Sequence, residues 1–121
     1  MAGTLTISTL SDGTNSTSTT NCIQGSAKAW ASYNGSAQTI NKSYNVSSIT
    51  YNSTGNYTVN FTNAMATATY ATTMGFYPPS SSGNYLSGYL DTQATTYVRI
   101  GCGAVGVSIV NSTNICIAVF A

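Results

Sequence analysis

Hydrophobic and polar residues alternate at every second position along much of this chain. In the clearest run, Tyr57, Val59 and Phe61 are separated by single polar residues. This two-residue period predicts a strand with one buried face. The preceding Asn-Ser-Thr-Gly-Asn has turn chemistry, because Gly55 can take a positive φ and its polar neighbours can satisfy turn backbone groups. Residues 47–61 are therefore predicted to form a β-hairpin.

The same alternation recurs in shorter runs. Residues 27–33 place three alanines and Tyr33 on one face, against Lys28, Trp30 and Ser32 on the other. Further strands are predicted at residues 38–46, 68–76, 85–90, 95–100, 105–110 and 115–120. Residues 77–84, 91–92, 101–104 and 111–114 are predicted turns or loops between them. No long 3.6-residue apolar period is present. About eight short strands at ~10-residue spacing predict an all-β fold, an antiparallel β-sandwich of jelly-roll-like type.

The two ends of the chain differ in character. Residues 1–24 are rich in Ser and Thr, with Leu5, Ile7 and Leu10 able to form a short edge strand. We expect them to form an extended N-terminal arm for attachment or intersubunit contact, followed by a β-sandwich domain over residues 25–121. The run at residues 115–120 is apolar on both faces, which predicts a central strand or one face packed on a symmetry mate.

Charge is scarce. The chain has five charged residues in 121, or 4% against a typical value of about 25%. They are Asp12, Lys28, Lys42, Asp91 and Arg99. Three positive charges are too few for a phosphate-tracking surface, so nucleic acid is not an expected partner. No apolar run approaches the ~20 residues of a membrane helix, so no membrane insertion is expected.

The same inventory argues against catalysis. The sequence has no histidine and no glutamate, and its only carboxylate side chains are Asp12 and Asp91. General acid–base and nucleophilic catalysis draw on these residue types, as do zinc and calcium sites. We therefore expect no enzyme, no cofactor and no metal. An enzyme would require Asp12 or Asp91 from different subunits to meet.

The cysteines leave two interpretations open. Cys22, Cys102 and Cys116 form an odd set without CxxC spacing. A disulfide between Cys102 and Cys116 is one interpretation, and three small buried hydrophobic side chains is the interpretation we favour.

Two groups of residues are candidate ligand or partner contacts. Tyr77, Asn84, Tyr85 and Tyr89 surround a Pro- and Ser-rich loop, and tyrosines beside small polar residues suit sugars. The alternative is that tyrosine is simply a good strand residue.

The second group is Lys28 with Trp30, which the alternation places on one face. They could form a ligand platform through cation–π or stacking contacts. We favour a structural role, in which Trp30 covers one side of the sandwich or a subunit contact.

Several stretches together resemble a known family. Ser-Asp-Gly-Thr at residues 11–14, Gly-Ser-Ala-Lys-Ala-Trp at 25–30, Tyr-Asn-Val-Ser-Ser-Ile-Thr at 44–50 and Gly-Asn-Tyr-Thr-Val-Asn-Phe at 55–61 resemble a pattern of tailed-bacteriophage structural proteins of the tail-fibre-like type. The resemblance covers nearly the whole chain, with Ala-Ser-Tyr at residues 31–33 where Val-Asn-Phe is more usual.

The resemblance implies a β-rich virion component, made in the cytoplasm of the bacterial host and displayed on the particle surface. Without a fibre shaft, a small fibre knob or head-decoration (cement) protein is favoured. We expect a non-enzymatic homotrimer whose partners are itself and other virion proteins, such as capsid or tail components. The alternative is a receptor-binding adhesin that recognises a bacterial surface glycan.

Overall fold

The protein is described here by a computed structural model that covers residues 3–77, 86–104 and 109–121. Its regular secondary structure consists of strands and, in the described ranges, one short helix. In chain order the elements are β1 (Thr9–Ser11), β2 (Ser16–Ser18), α1 (Thr19–Gly25), β3 (Ala29–Asn34), β4 (Thr39–Tyr44), β5 (Val46–Ser53), β6 (Asn56–Phe61), β7 (Ala71–Tyr77), β8 (Leu86–Gln93), β9 (Tyr97–Ala104) and β10 (Asn114–Phe120).

The last eight of these strands form two antiparallel sheets that pack as a sandwich. One sheet has the order β4-β3-β10-β7 and the other the order β5-β6-β9-β8. The first and last strands of the sandwich, β3 and β10, lie side by side in antiparallel register. The predicted all-β antiparallel sandwich of about eight strands is confirmed.

The core lies between the sheets and follows the alternation in the sequence. Tyr57, Val59 and Phe61 of β6 are buried, as predicted. Opposite them, Tyr33 packs edge-to-face on Tyr57, with ring centroids 5.5 Å apart and planes at 72°. The remaining buried hydrophobic side chains are Ala29, Ala31, Met65, Tyr70, Val98, Ile100, Cys102, Ile115, Ile117 and Val119.

The predicted hairpin at residues 47–61 is also confirmed, as β5 and β6. Gly55 lies in its turn with φ +69°, a conformation that favours glycine. A Cβ at this position would stand 2.4 Å from the carbonyl oxygen of Cys102. The turn therefore needs glycine both for its backbone angle and for its contact with β9.

The final strand is central, as predicted, because β10 pairs with β3 on one side and β7 on the other. Ile115, Ile117 and Val119 point into the core. The alternate residues point outwards, where Cys116 is exposed and Ala118 is half-buried. The described residues thus bury one face of this strand fully and leave the other partly open.

Two loop predictions were wrong. Residues 101–104 continue β9, because Cys102 is fully buried in the core and Gly101 pairs with both β6 and β8. Asp91 and Thr92 lie within β8 at a register shift, where an irregular ladder accommodates the extra residue. Of the predicted strand at 105–110, residues 105–108 lie outside the described residues and the last two belong to no strand.

Asn45 is the corner between the sheets. It lies between the end of β4 and the start of β5 and has φ +53°. Its Nδ2 donates to the carbonyl oxygens of Lys28 and Asn63 at 3.0 and 3.2 Å. Its Oδ1 accepts from the backbone N–H of Asn63 at 2.8 Å. The side chain therefore ties three segments together where the chain changes sheets.

The segment before the sandwich has its own small structure. β1 and β2 form an antiparallel ribbon, and Asp12 Oδ1 accepts from the backbone N–H groups of Thr14 and Asn15 in its turn. The helix α1, which the sequence did not predict, starts at an N-cap, where Ser18 Oγ accepts from the backbone N–H of Asn21. No residue of α1 is buried.

Candidate functional site

The sandwich presents two outward sheet faces with different chemistry. The outward side of β4-β3-β10-β7 is called the groove face here, and the outward side of β5-β6-β9-β8 the polar face. Strand register decides which side chains lie next to each other on each face, since directly opposed residues share a face.

The groove face places aromatic side chains beside small ones. Tyr44, Trp30 and Ala118 are directly opposed on adjacent strands, and Trp30 is 39% exposed. Beside Trp30 runs a shallow groove of about 330 Å³. The groove is lined mainly by Trp30, Ser32, Thr73, Gly75, Cys116 and Ala118. This surface is apolar in character, and the described residues leave it open.

Lys28 is the basic residue that the alternation predicts on the same face as Trp30. It lies just before β3, and its Nζ donates to the carbonyl oxygen of Ile23 in α1. The strand register also brings Lys42 towards Trp30, because Lys42 is opposed to the neighbouring Ser32.

The polar face is a hydrogen-bonded lattice of amides and hydroxyls. Asn60 Nδ2 donates to Ser48 Oγ and Thr50 Oγ1, both at 3.1 Å. Asn52 Nδ2 donates to Asn56 Oδ1 and Thr58 Oγ1, both at 2.8 Å. These bonds join β5 to β6 and hold the amide of Asn56 in place. The Ser, Thr and Asn residues that replace charge in this chain therefore build an ordered surface.

Next to this lattice lies a small cluster, here called the platform, formed by Tyr89, Asn56, Asp91 and Arg99. Arg99 Nη1 lies 3.9 Å from Asp91 Oδ2, and Asn56 Nδ2 donates to the same oxygen at 3.4 Å. Tyr89 is opposed to Gly101 on β9, which is in turn opposed to Asn56 on β6. Three strands thus bring an aromatic ring, an amide, a carboxylate and a guanidinium to one part of the surface.

The loop site predicted from the sequence is not assembled by the described residues. Tyr77 lies on the outward side of β7, and Tyr89 lies on the outward side of β8 in the other sheet. Asn84 and Tyr85 lie outside the described residues. Asn56, Asp91 and Arg99 were missed as site residues, because their proximity depends on pairing between strands far apart in sequence.

The buried titratable groups show no sign of activation. Burial raises the pKa of Tyr57 and that of Cys102. A thiol whose pKa is raised is mostly protonated near neutral pH and is a poor nucleophile. All three cysteines are free, but the favoured expectation that all are buried is wrong: only Cys102 is buried, because Cys116 lies on the outward face of β10 and Cys22 is half-buried in α1. In the described ranges, no three His, Cys, Asp or Glu side chains come together in a group that could hold a metal ion.

The fold and these faces define the molecule as an all-β sandwich with a polar and an aromatic outer surface. No family model, curated protein or solved structure matches the chain. In the part of the chain that the structure describes, no helix is long and apolar enough to cross a membrane.

Proposed function

We propose that the protein is a non-enzymatic structural protein of a bacteriophage virion, displayed on the particle surface as a homotrimeric knob or head-decoration protein. The observation that carries this proposal is the groove face. Trp30 and Tyr44 are exposed beside a groove lined mainly by small residues. Aromatic side chains are enriched and most charged residues depleted at the centres of protein interfaces.

The N-terminal segment supports the same proposal. Leu5 and Ile23 are exposed, although the burial of large apolar side chains is favourable. Among the described residues, the hydrogen bonds of residues 7–26 are made within residues 7–28. Such a segment suits an arm that docks on a neighbouring subunit or on another virion protein, because contacts with these partners would bury its apolar side chains.

The test has two parts. Cryo-electron microscopy of intact particles, with the protein labelled by a specific antibody fragment, should place it on the particle surface. Multi-angle light scattering of the purified protein should give a trimer. Trp30→Glu should shift the protein towards monomer, whereas Thr50→Glu, at an exposed position on the polar face, should not. A wild-type monomer that also leaves particles unlabelled would contradict the proposal.

A further inference from the structure

The ring of Tyr89 lies across the backbone of Gly101. A Cβ built on Gly101 would stand 2.1 Å from Cζ and 2.4 Å from Oη of Tyr89, so the ring occupies the space that any other residue would fill. One side of the ring is thereby supported by β9, and the residue remains 50% exposed. The half-exposed aromatic ring is held in place by its contact with the strand beneath it, which leaves a surface open for stacking.

Polar groups with unused hydrogen-bonding capacity lie beside this ring. Asp91 Oδ2 is engaged by Asn56 and Arg99. Arg99 Nε donates to Thr58 Oγ1 at 3.4 Å. Among the described residues, Asp91 Oδ1, Arg99 Nη2 and Tyr89 Oη make no hydrogen bond, so an acceptor, a donor and a hydroxyl remain for a ligand. Both charged side chains are partly exposed, at 38% for Asp91 and 41% for Arg99.

We propose that the platform binds a neutral saccharide. The C–H face of a pyranose ring would stack on Tyr89, and its hydroxyls would bond to Asp91 and Arg99. A sugar matches this surface because it combines an apolar face with a rim of hydroxyls that both donate and accept.

The charges of the platform favour a neutral ligand. Asp91 and Arg99 carry opposite charges and lie next to each other, so an anionic or cationic sugar gains attraction from one and repulsion from the other. A wholly apolar ligand would strip water from both groups without replacing their hydrogen bonds, which is unfavourable. The hydroxyl groups of a neutral sugar can instead replace the hydrogen bonds that Asp91 and Arg99 make with water.

This inference does not rest on an assembly role, since the platform and the groove face lie on different sheets. The platform gives the hypothesis of a glycan-binding adhesin a specific set of residues. Of these residues, only Tyr89 was expected from the sequence. The position of the protein on a particle and its binding of sugar can therefore be true or false independently.

The experiment is saturation-transfer difference NMR on the full chain with cellobiose, maltose, lactose and chitobiose as probes. At least one should receive saturation, strongest at its ring C–H protons. Tyr89→Ala should weaken that binding by about tenfold, and Tyr89→Phe should retain most of it. Tyr44 is also an exposed tyrosine but lies on the groove face, so Tyr44→Ala should leave the binding unchanged.

A second pair of variants tests the position of the ring. Gly101→Ala should displace the ring and weaken binding, while Gly103→Ala should not, because the nearest atom to a Cβ there is 4.0 Å away. Asp91→Asn should weaken binding without altering the fold. This variant therefore still tests the proposal if Tyr89→Ala or Gly101→Ala fails to fold. The inference is overturned if none of the four sugars is saturated. It is also overturned if binding survives in both Tyr89→Ala and Asp91→Asn, or in the one of these that folds.

Discussion

Two buried tyrosines in contact offer a sharp test of how polar groups are satisfied in this core. Tyr33 and Tyr57 are 1% and 0% exposed, and their rings meet edge-to-face. The Tyr57 hydroxyl donates to Asn111 Oδ1 at 2.9 Å. The Tyr33 hydroxyl has no hydrogen-bond partner in the part of the chain that the structure describes. Replacement by phenylalanine therefore removes a hydrogen-bonded hydroxyl at Tyr57 and an unpaired buried hydroxyl at Tyr33.

The two substitutions should change stability in opposite directions. Tyr57→Phe loses one hydrogen bond, and Asn111 Oδ1 keeps the bond from the backbone N–H of Gly55 at 2.9 Å. The expected loss in the free energy of unfolding is about 1 kcal/mol. Tyr33→Phe removes a buried hydroxyl whose desolvation is not compensated, and the expected gain is about 1 kcal/mol.

The difference of about 2 kcal/mol corresponds to about 8 °C in melting temperature, because a chain of this length shifts by about 4 °C per kcal/mol. Urea and thermal unfolding followed by circular dichroism measure both quantities. The ring contact survives in each variant, so it serves as an internal control. Equal destabilisation by both substitutions would refute the reasoning, since it would mean that the Tyr33 hydroxyl is paired.

Three further predictions concern pH and the backbone. Burial raises the pKa of Tyr57 and Cys102, so the folded state retains protons that the unfolded state releases. Urea midpoints should be constant between about pH 6 and about pH 8 and fall as the pH rises through the ordinary pKa values of 9.0 and 10.0. A flat profile up to about pH 11 would contradict this. Gly55→Ala should cost more than about 2 kcal/mol, because it combines positive φ with a clash, whereas Gly13→Ala, at φ +94° in open space, should leave the melting temperature of the sandwich unchanged. Asn45→Ala should destabilise by about 1 kcal/mol more than Asn45→Gly in the same unfolding assay, because glycine relieves the positive φ while both lose the side-chain bonds; equal effects would show that the φ is unimportant.

The sequence predicted best what depends on near neighbours. The alternation around Val59 identified both the strand and its buried face, because successive side chains of a strand point to opposite sides. Gly55 marked the turn, since few other residues adopt its φ. The apolar run of β10 predicted either a central strand or a contact with a symmetry mate, and the strand is central in its sheet.

What the sequence did not predict depends on contacts between distant strands. Gly101 suggested a loop because glycine usually weakens strands. In the fold it is a strand residue whose missing side chain makes room for the ring of Tyr89. Similarly, nothing local to Asn45 shows that it bonds to Lys28 and Asn63 across the corner. In each case the reason for the residue is a partner that only the fold brings close.

The candidate site was predictable only in part for the same reason. Tyr89 could be singled out as an aromatic residue near a loop. Asn56 and Arg99 lie on β6 and β9, so their approach to Asp91 on β8 requires both strand pairings and the register shift in β8. A hydrogen-bonded cluster drawn from three strands leaves no spacing in the sequence by which it could be recognised.

The position of the Asp91–Arg99 pair separates stability from binding. Ion pairs between partly exposed side chains contribute only about 0–1 kcal/mol to folding, and this pair is 3.9 Å apart with both groups open to water. The small gain in folding stability therefore does little to explain why two of the five charged residues of the chain lie together. Asp91→Asn should change the free energy of unfolding by less than about 1 kcal/mol while it weakens saccharide binding, as measured by urea unfolding and NMR titration of the same sample. A large loss of stability with unchanged binding would instead mean that the pair serves the fold.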